Sequence, residues 1–466
     1  MSFTIEWVYR VANQTEYLKK YVDTFGMSQL LKLKAKDMKS DCINYGTSLF
    51  CILILKEETL MKKIFRITFW AILMGLFTAV QVPAAEPIKF GFLHSLSGSV
   101  GQGYGIPDQK AVKIAVDEIN SAGGIMGRPL EMISRDDKLN PENAVREAKD
   151  LILNQKVHWI QGTVSSAVAL AVSAYCKEAK VPFIITTAQS AAITGEKGHR
   201  YVFRISTNTD VYTGATANAA AKAWGGKKVF IIGPDYEYGH KSKNDFMATY
   251  TKLVPGATIV GELWPKLGNQ DWTPYISKIM ASNADFVYCS LWGGDLISFT
   301  KAAWAFGYFD RVKHCGQDWG NMEALSKVGK DIYPKNVLGG SHYPYWLINN
   351  PISNAYWPKF NKVTGMYAGL SASGYTAVYA VKQAIEKAKA VDMEKMINAM
   401  EGMEINSVVG KLTIRACDHQ TLWPFWIGQL TISPKLPWPH IDKAVLFDPS
   451  TLYSSCGDIT AARKKK

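Results

Sequence analysis

The chain has 466 residues, of which 47% are hydrophobic and 20% charged; this balance excludes a disordered, collagenous or coiled-coil protein and leaves room for two or three domains. The formal charge is +13, but much of it lies in the last four residues, Arg463–Lys466, and in residues 1–85. The remaining body has no basic stripe, which argues against nucleic-acid binding. The 14 Trp and 22 Tyr are many for this length, and such half-polar rings often line binding clefts.

The first interpretable element is a targeting segment. Met61–Arg66 is short and basic, Ile67–Val80 is apolar without charge, and Val82–Ala85 is made of small residues and proline. This is the three-part pattern of a secretory signal, and its apolar run is shorter than the roughly 20 residues of a membrane-spanning helix. Residues 1–60 are expected to be an extension from a start codon read too early, residues 61–85 a signal peptide, and the mature chain to begin at Ala85 or Glu86. Export permits disulfides. Five Cys remain, an odd number: Cys176, Cys289, Cys315, Cys417 and Cys456. Cys289 and Cys315 sit in apolar strand-like runs and are expected to be buried thiols; the pairing of Cys417 with Cys456 stays open. Scattered His and the Cys spacings match no metal pattern, so neither metal nor cofactor is expected.

From Ile88 onward, strands alternate with helices. Ile88–His94 reads as a strand. Val112, Ala115, Val116 and Ile119 recur at helical spacing, and Gly123-Gly124 stops that helix. Leu130–Ser134 is the next strand, and Asn140-Pro141-Glu142 a helix start. Val157–Gly162 and Val181–Thr186 flank an Ala-rich helix over Ser165–Ala179. A second series has strands near Lys228–Gly233, Thr258–Trp264, Asp285–Ser290 and Val312–Gly316. Residues 351–401 read as mainly helical, and Val408–Leu430 returns to strand. Such alternation predicts parallel sheets with right-handed crossovers. Two series predict two doubly wound α/β lobes, with a ligand cleft beyond the carboxyl ends of their strands.

The strand ends therefore hold the candidate residues. Ser97–Gly105 follows the first strand; it lacks the third glycine and the acidic partner of a dinucleotide loop, and reads as a turn from which Tyr104 projects. Gly162–Ser166 and Thr186–Ser190 bring hydroxyls and backbone N–H groups, and a helix N-terminus suits an anion such as a carboxylate. No nucleophile elbow surrounds these serines. In the second lobe, Gly233–Gly239, Leu291–Asp295 and Gly316–Gly320 each combine aromatics with an acid. A single ring there is as readily lobe packing, and Asp318 as readily a helix cap; coincidence at three strand ends favours a cleft.

The runs Ile119–Gly127, Arg135-Asp136-Asp137, Tyr201–Arg204, Asp271–Tyr275 and Arg415–Gln420, in this order, resemble the branched-chain amino acid and amide type of periplasmic solute-binding protein. The resemblance covers nearly all of the mature chain. It implies a type I periplasmic-binding fold with three inter-lobe crossings: lobe 1 over 86–206 plus 336–415, lobe 2 over 207–335 plus 416–450, and a basic tail over 451–466. It further implies that a ligand carboxylate meets Ser166, the Ala188 backbone and Ser190, that an ammonium meets Asp318, and that Tyr104, Tyr238 and Trp292 face the ligand. Asp318 stands where the branched-chain proteins often have Glu. The side-chain wall is not recognisable in Gly369–Tyr375 and is expected from His342–Trp346. The implied function is the periplasmic substrate-binding component of an ATP-binding-cassette importer. It would be a monomer that captures an amino acid, branched-chain or otherwise apolar, by hinge closure and delivers it to a membrane permease. It is not expected to be an enzyme. Alternatives are a receptor for amides, urea or aromatic carboxylates, a secreted α/β hydrolase using Ser166, and a sensor ectodomain.

Overall fold

The structure, a computed structural model, describes residues 85–321 and 328–465 apart from 330, 333, 433–435 and 437–438. The expected extension over residues 1–60, and the expected signal segment apart from Ala85, lie outside the described residues.

The first sheet has five parallel strands: β1 (Ile88–His94), β2 (Leu130–Asp136), β3 (Ile160–Gly162), β4 (Phe183–Ile185) and β5 (Val202–Arg204), in the order β2-β1-β3-β4-β5. Helices α1 (Ile106–Ser121), α2 (Pro141–Leu153) and α3 (Ser166–Ala179) connect them. Period-two alternation along β1 sends Phe90 and Phe92 into one core with Val112, Ala115 and Ile119 of α1, while Leu93 enters a second core with Ala144 and Leu151 of α2 and Val168 and Val172 of α3. One sheet is thus covered on both faces, as a parallel sheet requires. Local chemistry fixes the helix starts: Asn140 accepts from Asn143 N at 2.8 Å, with Pro141 in the first turn of α2.

The second sheet has seven strands. β6 (Lys228–Ile232), β7 (Thr258–Leu263), β8 (Phe286–Cys289), β9 (His314–Gly316) and β10 (Val337–Ser341) are parallel; β13 (Phe425–Thr431) and β14 (His440–Phe447) add antiparallel strands in the order β14-β13-β10-β9-β8-β6-β7. Between them in the chain, β11 (Glu404–Ser407) and β12 (Gly410–Thr413) form a separate hairpin. Helices α4 (Thr209–Ala223) and α5 (Glu237–Leu253) pack on the Val229, Ile231 and Tyr288 face; α6 (Thr273–Ala281) and α7 (Gly293–Ala305) pack on the Phe230, Ile232 and Val287 face. After β10 the chain forms α8 (Pro351–Thr364), α9 (Ser371–Ala388) and α10 (Met393–Met400), which return to the core of the first sheet.

Two expected boundaries need correction. β10 pairs with β9 and β13, so the second lobe runs on to Ser341 and does not end at residue 335. Gly339 and Gly340 hid this strand: a Cβ at Gly340 would lie 2.3 Å from the Phe425 ring, so the close approach excludes the branched residues that mark strands. Residues 451–466 are not simply a basic tail. They include α11 (Cys456–Lys464), tied by a Cys417–Cys456 disulfide and by Arg463, which donates to the carbonyls of Thr194 and Gly195. Cys176, Cys289 and Cys315 are buried free thiols.

Three of the segments that pass between the lobes, near Ser206, His342 and Gln420, are bonded to one another. Thr207 Oγ1 and His342 Nδ1 are 2.7 Å apart, Trp423 Nε1 donates to His342 O at 2.9 Å, and Gln420 Nε2 donates to Ser206 O at 2.7 Å. Arg204 and Gln420 also form a parallel β-bridge. These ties define a narrow hinge behind the cleft.

Candidate ligand-binding cleft

A cavity lies between the lobes, lined by Tyr104, Val164, Thr187, Gln189 and Leu370 from the first and Tyr236, Tyr238, Trp292 and Asp318 from the second. Every second-lobe contributor follows a parallel strand: Tyr236 and Tyr238 follow β6, Trp292 follows β8, and Asp318 follows β9. Tyr236 and Trp292 occupy the N-cap positions of α5 and α7, where extended backbone turns their rings toward the first lobe.

Tyr104 does not project from a loose turn. Gly98–Val100 and a single wide turn over Gly101–Gly105 run straight into α1. A Cβ at Gly105 would fall 1.7 Å from Ser95 O, so glycine lets this turn lie against the end of β1. The turn holds Tyr104 across the cleft: its hydroxyl accepts from Gly293 N at 3.2 Å, and its ring meets Trp292 edge-on at 5.5 Å between centroids. A second bond spans the lobes, from Ser190 Oγ to Glu237 Oε1 at 2.9 Å. The lobes are therefore closed on each other.

Four of the residues expected from sequence, Tyr104, Tyr238, Trp292 and Asp318, are brought together. Gln317 Nε2 donates to the Tyr238 hydroxyl, and burial pushes that phenol well above its ordinary pKa, which keeps it neutral. Asn321 Nδ2 donates to Asp318 Oδ1 at 3.3 Å.

The other three, Ser166, Ala188 and Ser190, do not line the cavity, and their polar groups are used internally. Ser166 Oγ accepts from Ser190 N at 3.1 Å, Ala188 N donates to Thr163 O at 2.8 Å, and Ser190 Oγ is held by Glu237. Alternate residues after β4 face opposite ways, so Thr187 and Gln189 reach the cavity instead. The expectation was displaced by one position, enough to exchange the two faces. Gln189 Nε2 is buried with no hydrogen-bond partner among the described residues. Sequence reading also missed Tyr236, Val164 and Leu370; the pair Tyr236 and Tyr238 flanking a helix start was the available signal for the first. His342–Trp346 does not form the side wall: His342 is spent on the hinge, and Tyr343 and Tyr345 pack into the first-lobe core with Tyr356. Leu370, at the N-cap of α9, takes that place.

Comparison with known proteins agrees with the two-lobed fold. The periplasmic binding protein family matches residues 87–434, and the chain belongs to it. A Leu/Ile/Val-binding protein homolog 4 of Brucella melitensis is 26% identical over 372 residues, covering 75% of this chain and 85% of the relative. Two solved structures share the fold. The branched-chain amino acid transporter substrate-binding protein of Streptococcus pneumoniae in complex with isoleucine is 22% identical, with a TM-score of 0.68 over 78% of this chain and 100% of that one. A solute-binding protein of an ABC transporter from Rhodopseudomonas palustris BisB5, in complex with 3,4-dihydroxybenzoic acid, is 24% identical, with a TM-score of 0.70 over 78% and 98%.

Proposed function

We propose that this chain is the substrate-binding component of an ATP-binding-cassette importer, which takes one amino acid with an apolar side chain, branched-chain or similar, into the cleft and presents it to a membrane permease. One observation carries this reading: a single small cavity joins the carboxylate of Asp318 from one lobe to the neutral donors Thr187 and Gln189 from the other, with rings and Leu370 between them. A buried donor without an acceptor is costly, and a ligand carboxylate oxygen supplies what Gln189 Nε2 lacks. An ammonium beside Asp318 gains a charge-assisted hydrogen bond and the faces of the neighbouring rings. No cationic side chain is among the described lining residues, and beside these a ligand charged only by a carboxylate would meet Asp318 as a like charge. The names of the Brucella relative and the isoleucine complex support the same ligand class.

Capture requires no bond making. A ligand that touches both lobes favours the closed arrangement, in which Tyr104 reaches Gly293 and Ser190 reaches Glu237. Export to the periplasm by the segment over residues 61–85 fits this role. A second reading, an aromatic carboxylate, is favoured by the four rings of the wall and by the dihydroxybenzoic acid neighbour. Thermal-shift screening of residues 85–466 against amino acids, amides, urea and aromatic acids separates the two, since a ligand of the folded state raises the melting temperature. The largest rise is expected with leucine, isoleucine or valine; a larger rise with a benzoate overturns the amino-acid reading.

A further inference from the structure

A buried polar set lies directly beneath the first-lobe side of the cavity. His94 ends β1 and is wholly buried; Asp108, in the first turn of α1, is 1% exposed. His94 Nε2 stands 3.5 Å from Asp108 Oδ2 and 3.3 Å from Oγ1 of Thr187, a cavity-lining residue. The same Asp108 oxygen accepts from Thr186 Oγ1 at 3.1 Å. Its other oxygen sits against Gly374 of α9, where a Cβ would come within 1.9 Å, so the carboxylate is fixed in place by a helix backbone.

An imidazole nitrogen facing a carboxylate oxygen must carry the hydrogen, because two lone pairs would otherwise oppose each other. Burial lowers the His94 pKa to about 4, against the field of Asp137, so the ring is neutral near pH 7 and has a single N–H. That hydrogen is therefore on Nε2. Thr187 Oγ1 faces the same N–H and turns a lone pair toward it. Among the described residues the Thr187 hydroxyl has no other hydrogen-bond partner, so its own hydrogen is left for the cavity.

We infer that Asp108 and His94 are positioning residues that set Thr187 as a donor into the cavity, so that the site demands a lone-pair atom of the ligand at that point, such as a carboxylate oxygen, and disfavours an N–H group there. The inference rests on the cleft being the binding site and deepens the amino-acid reading by naming what polarises its carboxylate end.

The test combines imidazole ¹⁵N spectra of the parent with calorimetric titration of leucine into four variants. The parent His94 ring should show the Nε2-protonated tautomer. Thr187→Val should weaken leucine about tenfold or more, the range for a lost hydrogen bond to a charged group, while Thr187→Ser keeps the affinity. His94→Leu should weaken it comparably, and His94→Gln, which restores an amide donor near the Nε2 position, should recover most of the loss. A purely structural His94 would show no such rescue. An Nδ1-protonated ring in the parent, or equal binding by the Val and Ser variants of Thr187, overturns the inference. If His94→Leu does not fold, the parent spectrum and the Thr187 pair decide. If the parent binds no amino acid, the amino-acid reading falls and the ring tautomer still decides the inference.

Discussion

On the first-lobe rim, the polar groups that reach the cavity are Thr187 and Gln189, and beneath Thr187 lies a layer of buried groups bonded to one another: His94, Asp108 and Thr186. On the second-lobe rim, Tyr236, Tyr238 and Trp292 supply ring surface, and Asp318 supplies the one carboxylate among the described lining residues. The first rim offers short, directional donors just past the end of β4; the second offers area and charge, set at helix starts. The contrast teaches a division of labour. Hydrogen-bond direction on one side reads the ligand's carboxylate end, and closure of the other side adds contact and an ion pair. Tyr104 joins the two, rooted at the end of β1 but packed against Trp292.

The largest expected effect is one that the lobes share, because both rest on buried neutral histidines. Burial holds His94 down to about 4, and His314 and His342 down to about 3. Each is neutral when folded and takes up a proton in the unfolded chain below about 6.5, so the unfolded state binds more protons there. Stability is fully present above pH 6.5 and falls with acid toward pH 4 and then 3, by about 1.4 kcal/mol per pH unit for each histidine within its window. Urea midpoints at pH 7 and pH 5 should differ clearly; equal midpoints contradict this account.

Breaking the second rim comes next. Asp318→Asn keeps the shape and removes the charge, and should cost roughly 3–5 kcal/mol of amino-acid affinity, the scale for breaking a buried ion pair. Unchanged calorimetric affinity would make Asp318 a capping residue only. Trp292→Ala removes both ring surface and the Tyr104 contact, and should cost about 2–4 kcal/mol, as for a central aromatic anchor. Loss through a slower association rate alone, with dissociation unchanged, would argue against a closed-state contact.

The smallest effect sharpens the contrast within the first lobe. Ser166→Ala removes the acceptor of Ser190 N and should cost about 0.5–1.5 kcal/mol of stability, the scale of a neutral hydrogen bond, while affinity barely moves. A selective loss of affinity would return Ser166 to the site.

How much of this was legible in the sequence differs between the rims. On the second rim, Tyr238 and Trp292 follow the apolar runs of β6 and β8 with helix starts nearby, and Asp318 follows the short β9, so all three lie next to strand ends that the sequence marks. The first was misread by one residue. β4 has only three residues, so the point where the chain leaves the sheet, and with it the parity of Thr186–Ser190, is set by pairing with β3 and β5 and not by local pattern. β14 was missed for a related reason: its residues are largely exposed from Asp442 onward, and the alternation that marks a half-buried strand is weak. The docking of α11 depends on a disulfide and on Arg463 contacts about 270 positions away in the chain, which no local signal encodes.

The central claim is that the cleft reads both ends of a zwitterion, one with each lobe. Calorimetric titration of residues 85–466 with leucine, leucinamide and 4-methylpentanoate tests it most directly, since the last two each lack one charged end. The account predicts that leucine binds and that each analogue binds at least about 100-fold more weakly, the cost of leaving one charged or hydrogen-bonded end unmatched. Binding of 4-methylpentanoate as tight as that of leucine would contradict it.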